Sequence, residues 1–309
     1  MTVLAFDTSN YTTSVAVFNG TEGHNVSRLL DVEQGSLGLR QSDALFSHVK
    51  RLPELTDRLF SDIGAVKIDA IGVSTRPRAV EGSYMPCFLA GHSQAKVLGF
   101  ALGVPVYEFS HQQGHIAASL WSSAHMELMD KPHLAWHLSG GTTELLLVTP
   151  DGVSVHAEKI GGTTDISAGQ LIDRTGKLLG LSFPAGKQLD ALSREATDTS
   201  FFHVKVNGTE FSLSGVQNKV QDYHRGDDTE TAGYALRSLI GAIVTATKNA
   251  RKAYPDCPVV FAGGVASNTM LREACADLPV IFCPPQYATD NALGTAVLTW
   301  RAHDAAGNL

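Results

Sequence analysis

Leu134-Ala135-Trp136-His137-Leu138-Ser139-Gly140-Gly141-Thr142-Thr143-Glu144-Leu145-Leu146-Leu147-Val148 is the stretch whose reading decides the fold. Residues 134–138 are an apolar run of strand length, 139–142 carry turn residues, and 143–148 are a second apolar run. The same pattern opens the chain, with strands expected over 3–7 and 13–18 around a hydroxyl-rich turn at 8–12. At an offset of 130 residues, Leu4, Ala5, Ser9, Thr12 and Thr13 meet identical residues at Leu134, Ala135, Ser139, Thr142 and Thr143. Two unrelated hairpins would share apolar runs. Identities at the turns favour duplication, and a repeat of domain size points to two related lobes rather than a solenoid of short units.

The composition agrees with that size. The chain has 309 residues, 43% hydrophobic and 18% charged, enough for two ordinary globular lobes. Met1 leads directly into an apolar run without a basic leader, so no signal peptide is expected. The longest apolar stretches are interrupted by Gly, His, Lys or Gln, so no membrane span is expected. Cys87, Cys257, Cys275 and Cys283 form no close pair and read as thiols of a reducing cytoplasm. The formal net charge of −7 offers no global attraction for nucleic acid. Arg76, Arg78, Lys96, Lys205 and Lys219 are the nearest thing to a local basic patch.

Between the two hairpins, a long glycine-containing loop is expected after Asn19-Gly20. A helix from Ser42, kinked or split at Pro53, follows. Next come a strand at 68–74, a helix over 88–102 stopped by Gly103, and a short strand at 104–109. Phe109-Ser110-His111-Gln112-Gln113-Gly114-His115 then carries a Ser-x-x-Gln capping box. A helix starting there puts His111 and His115 on one face, four residues apart, where two imidazoles can hold one metal ion. The spacing alone is weak, because the chain has twelve histidines. His133 and His137 have the same spacing in an expected strand, where they stand roughly 13 Å apart and form no chelate. A cation at a helix N-terminus also opposes the helix dipole, so a carboxylate from elsewhere is required.

In the second half, helices are expected at 167–179 and after Pro184, a hairpin with an Asn207-Gly208 turn, and a long helix at 229–254. Strands at 258–261 and 280–282 each lead into a helix. Ser139-Gly140-Gly141-Thr142 and Ala262-Gly263-Gly264 are glycine turns after strands. They are either plain tight turns or places where backbone N–H groups meet a phosphate. Asp173 and Asp190 read either as solvated helix acids or as contacts for ribose hydroxyls or an amine. Asp290 reads either as a helix cap or as the anionic partner of the histidine pair.

Taken in order, these pieces resemble the TsaD family of tRNA N6-adenosine threonylcarbamoyltransferases. An older label for that family is Gcp, or O-sialoglycoprotein endopeptidase of peptidase group M22. The likeness runs through Asp7-Thr8-Ser9, His111-x-x-x-His115, Ser139-Gly140-Gly141, Asp165, Gly169, Asp173, Pro184, Gly186, Phe211-Ser212-x-Ser214-Gly215, Ala262-Gly263-Gly264-Val265-x-x-Asn268 and Thr289-Asp290-Asn291. It implies an α/β chain of the actin-like ATPase (ASKHA) fold: two duplicated ribonuclease-H-like lobes with a central cleft. The expected lobes are 1–130, with the metal motif, and 131–309, with the nucleotide site and a last helix packing back on the first lobe.

The resemblance further implies a divalent metal, iron or zinc, on His111, His115 and Asp290. It implies that Ser139, Gly140, Gly141, Asp173, Gly186, Asp190 and Asn268 bind an adenine nucleotide or acyl-adenylate. The implied activity is cytoplasmic: a metal-dependent acyltransferase moving the threonylcarbamoyl group from threonylcarbamoyl-AMP to N6 of a tRNA adenosine beside the anticodon. The implied partners are tRNA and a smaller TsaB-like protein of the same fold, placed on the helix faces of 42–62 and 83–102 if those faces are not simply core. The chain departs from the family at Asp7, usually Glu, at Asn10-Tyr11-Thr12, usually acidic, at Arg76-Pro77-Arg78, usually Gly-Pro-Gly, and at Thr142, usually His. A paralogous carbamoyl-type transferase with another acceptor, or a non-catalytic nucleotide-binding scaffold, are the rival readings. No catalytic side chain stands out, and no protease motif is present.

Overall fold

The computed structural model describes residues 1–9, 11–31, 39–287 and 291–307. They fall into two compact units, Met1–Lys131 with Thr149–Ala157 and Asp290–Leu309, and Pro132–Val148 with Glu158–Thr289.

In the first unit β1 (Val3–Asp7), β2 (Thr12–Phe18) and β3 (Gly23–Leu29) form an antiparallel meander, followed by α1 (Gln41–Ile63), β4 (Ala70–Arg76), α2 (Phe88–Leu102), β5 (Val106–Ser110) and α3 (His111–Ser122). The sheet order is β3-β2-β1-β4-β5, with β1, β4 and β5 parallel. Leu4, Phe6, Val15 and Val17 of the hairpin pack with Leu52, Leu55 and Leu59 of α1 and with Ile71 and Val73 of β4. Each such side chain contributes roughly 1.5–3 kcal/mol on burial. That packing carries α1 through Pro53 as one helix, so of the kink or split expected there the split does not occur. β3 occupies part of the expected loop. It is an edge strand in which Val26 alone is buried, so no alternation announces it.

The second unit repeats this plan. β6 (His133–Leu138), β7 (Thr143–Asp151) and β8 (Ser154–Thr163) are followed by α4 (Ala168–Leu178), α5 (Gly186–Ser193) and the small hairpin β9 (Val206–Asn207) and β10 (Glu210–Phe211). Then come α6 (Ser214–Tyr223), α7 (Asp228–Ala253), β11 (Val259–Ala262), α8 (Thr269–Ala274) and β12 (Val280–Phe282). The sheet order is β12-β11-β6-β7-β8-β10-β9, with β6, β11 and β12 parallel. Its core gathers Trp136, Leu145, Leu239, Ile243 and Phe261. The buried indole of Trp136 donates to Thr247 Oγ1 at 2.9 Å, so its one polar atom is satisfied.

The duplication holds residue by residue. Val3 pairs with Phe18 and Asp7 with Ser14, while 130 residues further His133 pairs with Val148 and His137 with Glu144.

The boundaries differ from the contiguous division at 130/131. Gln113 Nε2 donates to Val155 O at 2.9 Å and Arg301 Nε to Val153 O at 3.2 Å, which fastens residues 149–157 to α3 and to α9 (Leu293–Gly307). α9 itself packs on α3, β1 and β4, so it belongs to the first unit. None of the four cysteines is in a disulfide. Among the described residues no helix is long and apolar enough to cross a membrane.

Candidate functional site

The histidine pair is built by its helix cap. Ser110 keeps an extended backbone, its Oγ accepts from Gln113 N, and Gln113 Oε1 accepts from Ser110 N at 2.8 Å, so the expected capping box is present. α3 therefore begins at His111 and brings His115 one turn on. Their Nε2 atoms stand 2.9 Å apart, with ring centroids at 4.3 Å and planes at 78°.

His111 Nδ1 lies 2.8 Å from Asp7 Oδ2. Asp7 is 1% exposed and also accepts from Ser74 Oγ at 2.6 Å and Ser9 N at 2.9 Å. Burial opposes its ionisation, but the facing His111 ring and the hydrogen bonds from His111, Ser74 and Ser9 outweigh that. The carboxyl is held below its ordinary range. An ionised carboxylate only accepts, so the Nδ1 of His111 that faces it is placed to donate. Asp7 also supplies negative charge at the end of α3 where a cation would oppose the dipole.

The donor set fits a transition metal. Imidazoles suit zinc and iron. Two nitrogens each about 2.1 Å from one ion are roughly 3.0 Å apart at a right angle and roughly 3.4 Å apart at the tetrahedral angle. The observed 2.9 Å needs little adjustment to match. Asp290, the expected third ligand, lies outside the described residues. Among those residues no three His, Cys, Asp or Glu side chains converge on one ion.

In the second unit, hydrogen bonds fix the backbone and side chains at Ser139, Gly140, Asp173, Asp190 and Asn268. The β6–β7 turn is closed by Ser139 N donating to Thr142 O at 2.8 Å and Thr142 N to Ser139 Oγ at 3.1 Å. Gly140 and Gly141 are exposed, with open space where a Cβ would be, so their backbone is reachable by a ligand. Ser167, which caps α4 with Gln170, donates to Gly140 O at 2.6 Å. A Cβ at Gly169 would strike Gly140 and Ser139, so only glycine allows this approach. Further along α4, Asp173 Oδ1 accepts from Ala185 N at 2.9 Å, directly before Gly186 opens α5. Burial raises the Asp173 carboxyl above its ordinary value, partly offset by that N–H.

Asp190 of α5 accepts from Asn268 Nδ2 at 2.8 Å and Thr269 Oγ1 at 2.8 Å. Asn268 Oδ1 in turn caps α8 through Leu271 N at 2.9 Å. Asp190 and Asn268 are thus held by one another, a role the sequence reading did not assign. Gly263, at φ +94°, lies against the same turn: a Cβ there would collide with the backbone of Leu138, just before Ser139.

Two anchoring residues carried no assigned role in the sequence. Asp7 sits at the C-terminal end of a central parallel strand, the usual ligand end of such sheets, and that position was its signal. Asp165 accepts from Ser212 Oγ, from Ser214 Oγ at 2.6 Å and from Leu213 N at 2.8 Å, and so fixes the start of α6 against the end of β8. Burial works against its charge and these bonds prevail, leaving its carboxyl far below the ordinary range.

A family model described as "TsaD: tRNA N6-adenosine threonylcarbamoyltransferase" matches residues 36–297. The chain belongs to the TsaD family. A tRNA N6-adenosine threonylcarbamoyltransferase of Streptococcus pneumoniae (strain Hungary19A-6) is 29% identical over 328 residues, covering 99% of this chain and 94% of the relative. The enzyme of strain Taiwan19F-14 is 30% identical over the same shares. Among solved structures, full-length HypF superposes with TM-score 0.62 at 13% identity, covering 98% of this chain and 46% of HypF. Component A of the Acidaminococcus fermentans (R)-2-hydroxyglutaryl-CoA dehydratase superposes with TM-score 0.57 at 14% identity, over 98% and 99% of the two chains. These likenesses establish the α/β actin-like fold. The TsaD match spans both the histidine pair and the glycine turns of the second unit.

Proposed function

We propose that this TsaD-family chain is a cytoplasmic tRNA-modifying transferase that moves a threonylcarbamoyl group from threonylcarbamoyl-AMP to N6 of an adenosine beside the anticodon. The observation that carries the reading is the facing pair of imidazole nitrogens at 2.9 Å, oriented by Asp7, in a chain matched to TsaD over most of its length. A divalent ion, iron or zinc, held by His111, His115 and Asp290 would supply positive charge to an oxygen of the donor.

The backbone N–H groups of the exposed Gly140 and Gly141 would suit a phosphate, and Asp173 and Gly186 the ribose face of the adenylate. Ser139 holds the turn in shape, while Asp190 and Asn268 fix α5 against α8. In the transfer the attacking amine forms a C–N bond to the carbamoyl carbon. The carbonyl carbon–oxygen bond to the phosphate breaks, AMP leaves and the amine loses a proton. Groups placed where charge develops on the carbonyl oxygen lower the barrier.

The proposed protein partner is a smaller TsaB-like protein of the same fold. Phe46 is 65% exposed on α1, and Val97 and Phe100 are 62% and 85% exposed on α2. Those two helices pack on one another. A second reading, a carbamoyl-type transferase with another acceptor, is favoured by Tyr11, Thr12 and Thr142 at positions that are usually acidic or His in the family. Complementation of a TsaD-depleted cell, read by mass spectrometry of tRNA nucleosides, tests the proposal. Restored threonylcarbamoyladenosine supports it, and healthy expression without the nucleoside favours the second reading.

A further inference from the structure

We propose that Asp7 is a positioning residue for the histidine pair: its carboxylate locks His111 in the Nδ1–H tautomer, so that the Nε2 lone pair is presented beside His115. The inference rests on the metal reading above and adds the group that prepares its first ligand. Asp7 is held independently of α3. Ser9 N binds Oδ1 at 2.9 Å from the end of the same hairpin, and Ser74 Oγ binds Oδ2 at 2.6 Å from β4. The carboxylate is therefore a fixed reference, and the His111 ring aligns to it at 2.8 Å.

The two nitrogens of an imidazole lie on opposite sides of the ring. A proton fixed on Nδ1 leaves Nε2 as the metal-binding atom, and that atom is the one that faces His115 at 2.9 Å. Asp7 is not itself a third ligand in this arrangement. It meets His111 on the far side of the ring, and Asp7, His111 and His115 do not converge on a common point among the described residues. Carboxylates that hold a ligating histidine in this way typically change metal affinity by about 10–100-fold. The hairpin tip of the first unit thus acts on the histidine pair through one hydrogen bond.

The test uses the full chain, Zn2+ as the probe, and two readouts. Long-range 1H–15N NMR of the histidine side chains reports the tautomer, and competition with a chelator reports Zn2+ affinity. In the metal-free wild type His111 is expected as Nδ1–H. Asp7→Ala should shift it towards the other tautomer and lower Zn2+ affinity about 10–100-fold at unchanged far-UV circular dichroism. Asp7→Asn, whose amide oxygen still accepts from Nδ1, should keep the tautomer and recover most of the affinity. It also serves if the alanine variant fails to fold. An unchanged tautomer and affinity in Asp7→Ala overturns the proposal, as does an equal loss of affinity in both variants with the tautomer intact. If the wild type binds no Zn2+, the metal reading fails while the tautomer measurement still decides the role of Asp7.

Discussion

Nε2 of His111 and Nε2 of His115 face one another at 2.9 Å across the first turn of α3. Two imidazole nitrogens at that separation match the spacing of two ligands on one ion of a transition metal. The expected stoichiometry is one divalent ion per chain. The His111→Ala/His115→Ala variant should lose it, with a drop in affinity beyond the roughly 10–100-fold of an outer partner. Elemental analysis of protein as isolated decides this, and a metal content unchanged in the double variant contradicts it.

Two glycines in the second unit should behave oppositely. Gly140 has open space around its missing Cβ, so Gly140→Val should melt close to the wild type yet bind AMP at least about tenfold more weakly. Gly263 has φ +94° and the Leu138 backbone against it, so Gly263→Ala should destabilise the fold by about 1–3 kcal/mol from backbone strain alone. Thermal melts combined with calorimetry separate the two. Intact AMP affinity in Gly140→Val would place the nucleotide elsewhere.

Asp165 gives a pH prediction. Its carboxyl is lower in the folded chain than the ordinary value near 3.9, so the unfolded state binds the proton more readily. Its stabilisation is therefore complete above about pH 4 and is lost as pH falls towards the folded value. Asp165→Asn keeps the size but turns part of the acceptor into a donor facing Ser212, Ser214 and Leu213. It should cost about 1–3 kcal/mol at pH 7, and the difference from wild type should shrink steadily below pH 4. A gap in urea stability that is constant from pH 7 to pH 3 would contradict this assignment.

Much of this was legible before any coordinates. The Ser110–Gln113 box announced α3, and the identities at the two turns announced a duplication that the strand register reproduces at the same offset of 130 residues. β3 was not legible, because an edge strand with one buried residue lacks the alternation that marks a strand. The placement of residues 149–157 and of α9 was not legible either. It depends on long-range bonds such as Gln113 to Val155 O, which leave no local pattern. Asp190 and Asn268 were recognisable as polar residues near glycine turns, but their hydrogen bond joins positions 78 residues apart.

The exposed apolar residues of α1 and α2 predict a partner-dependent enzyme. Phe46→Asp with Phe100→Asp should leave stability within about 0.5 kcal/mol, since both side chains are mostly solvent-exposed. It should abolish co-purification with a smaller TsaB-like protein of the same fold. Retained complex formation would move the contact elsewhere. With a net charge of −7, the chain alone should bind tRNA more weakly than about 1 μM at physiological salt. Tighter binding with a steep salt slope would contradict that expectation.

The most direct test of the central claim is reconstitution with purified chain, threonylcarbamoyl-AMP, unmodified tRNA and the smaller partner, read by mass spectrometry of the digested nucleosides. The account predicts threonylcarbamoyladenosine in the complete reaction and none with the His111→Ala/His115→Ala variant. The account is contradicted if the complete reaction, with metal-loaded and folded chain, leaves the tRNA adenosine unmodified, or if the double variant forms the product as fast as the wild type.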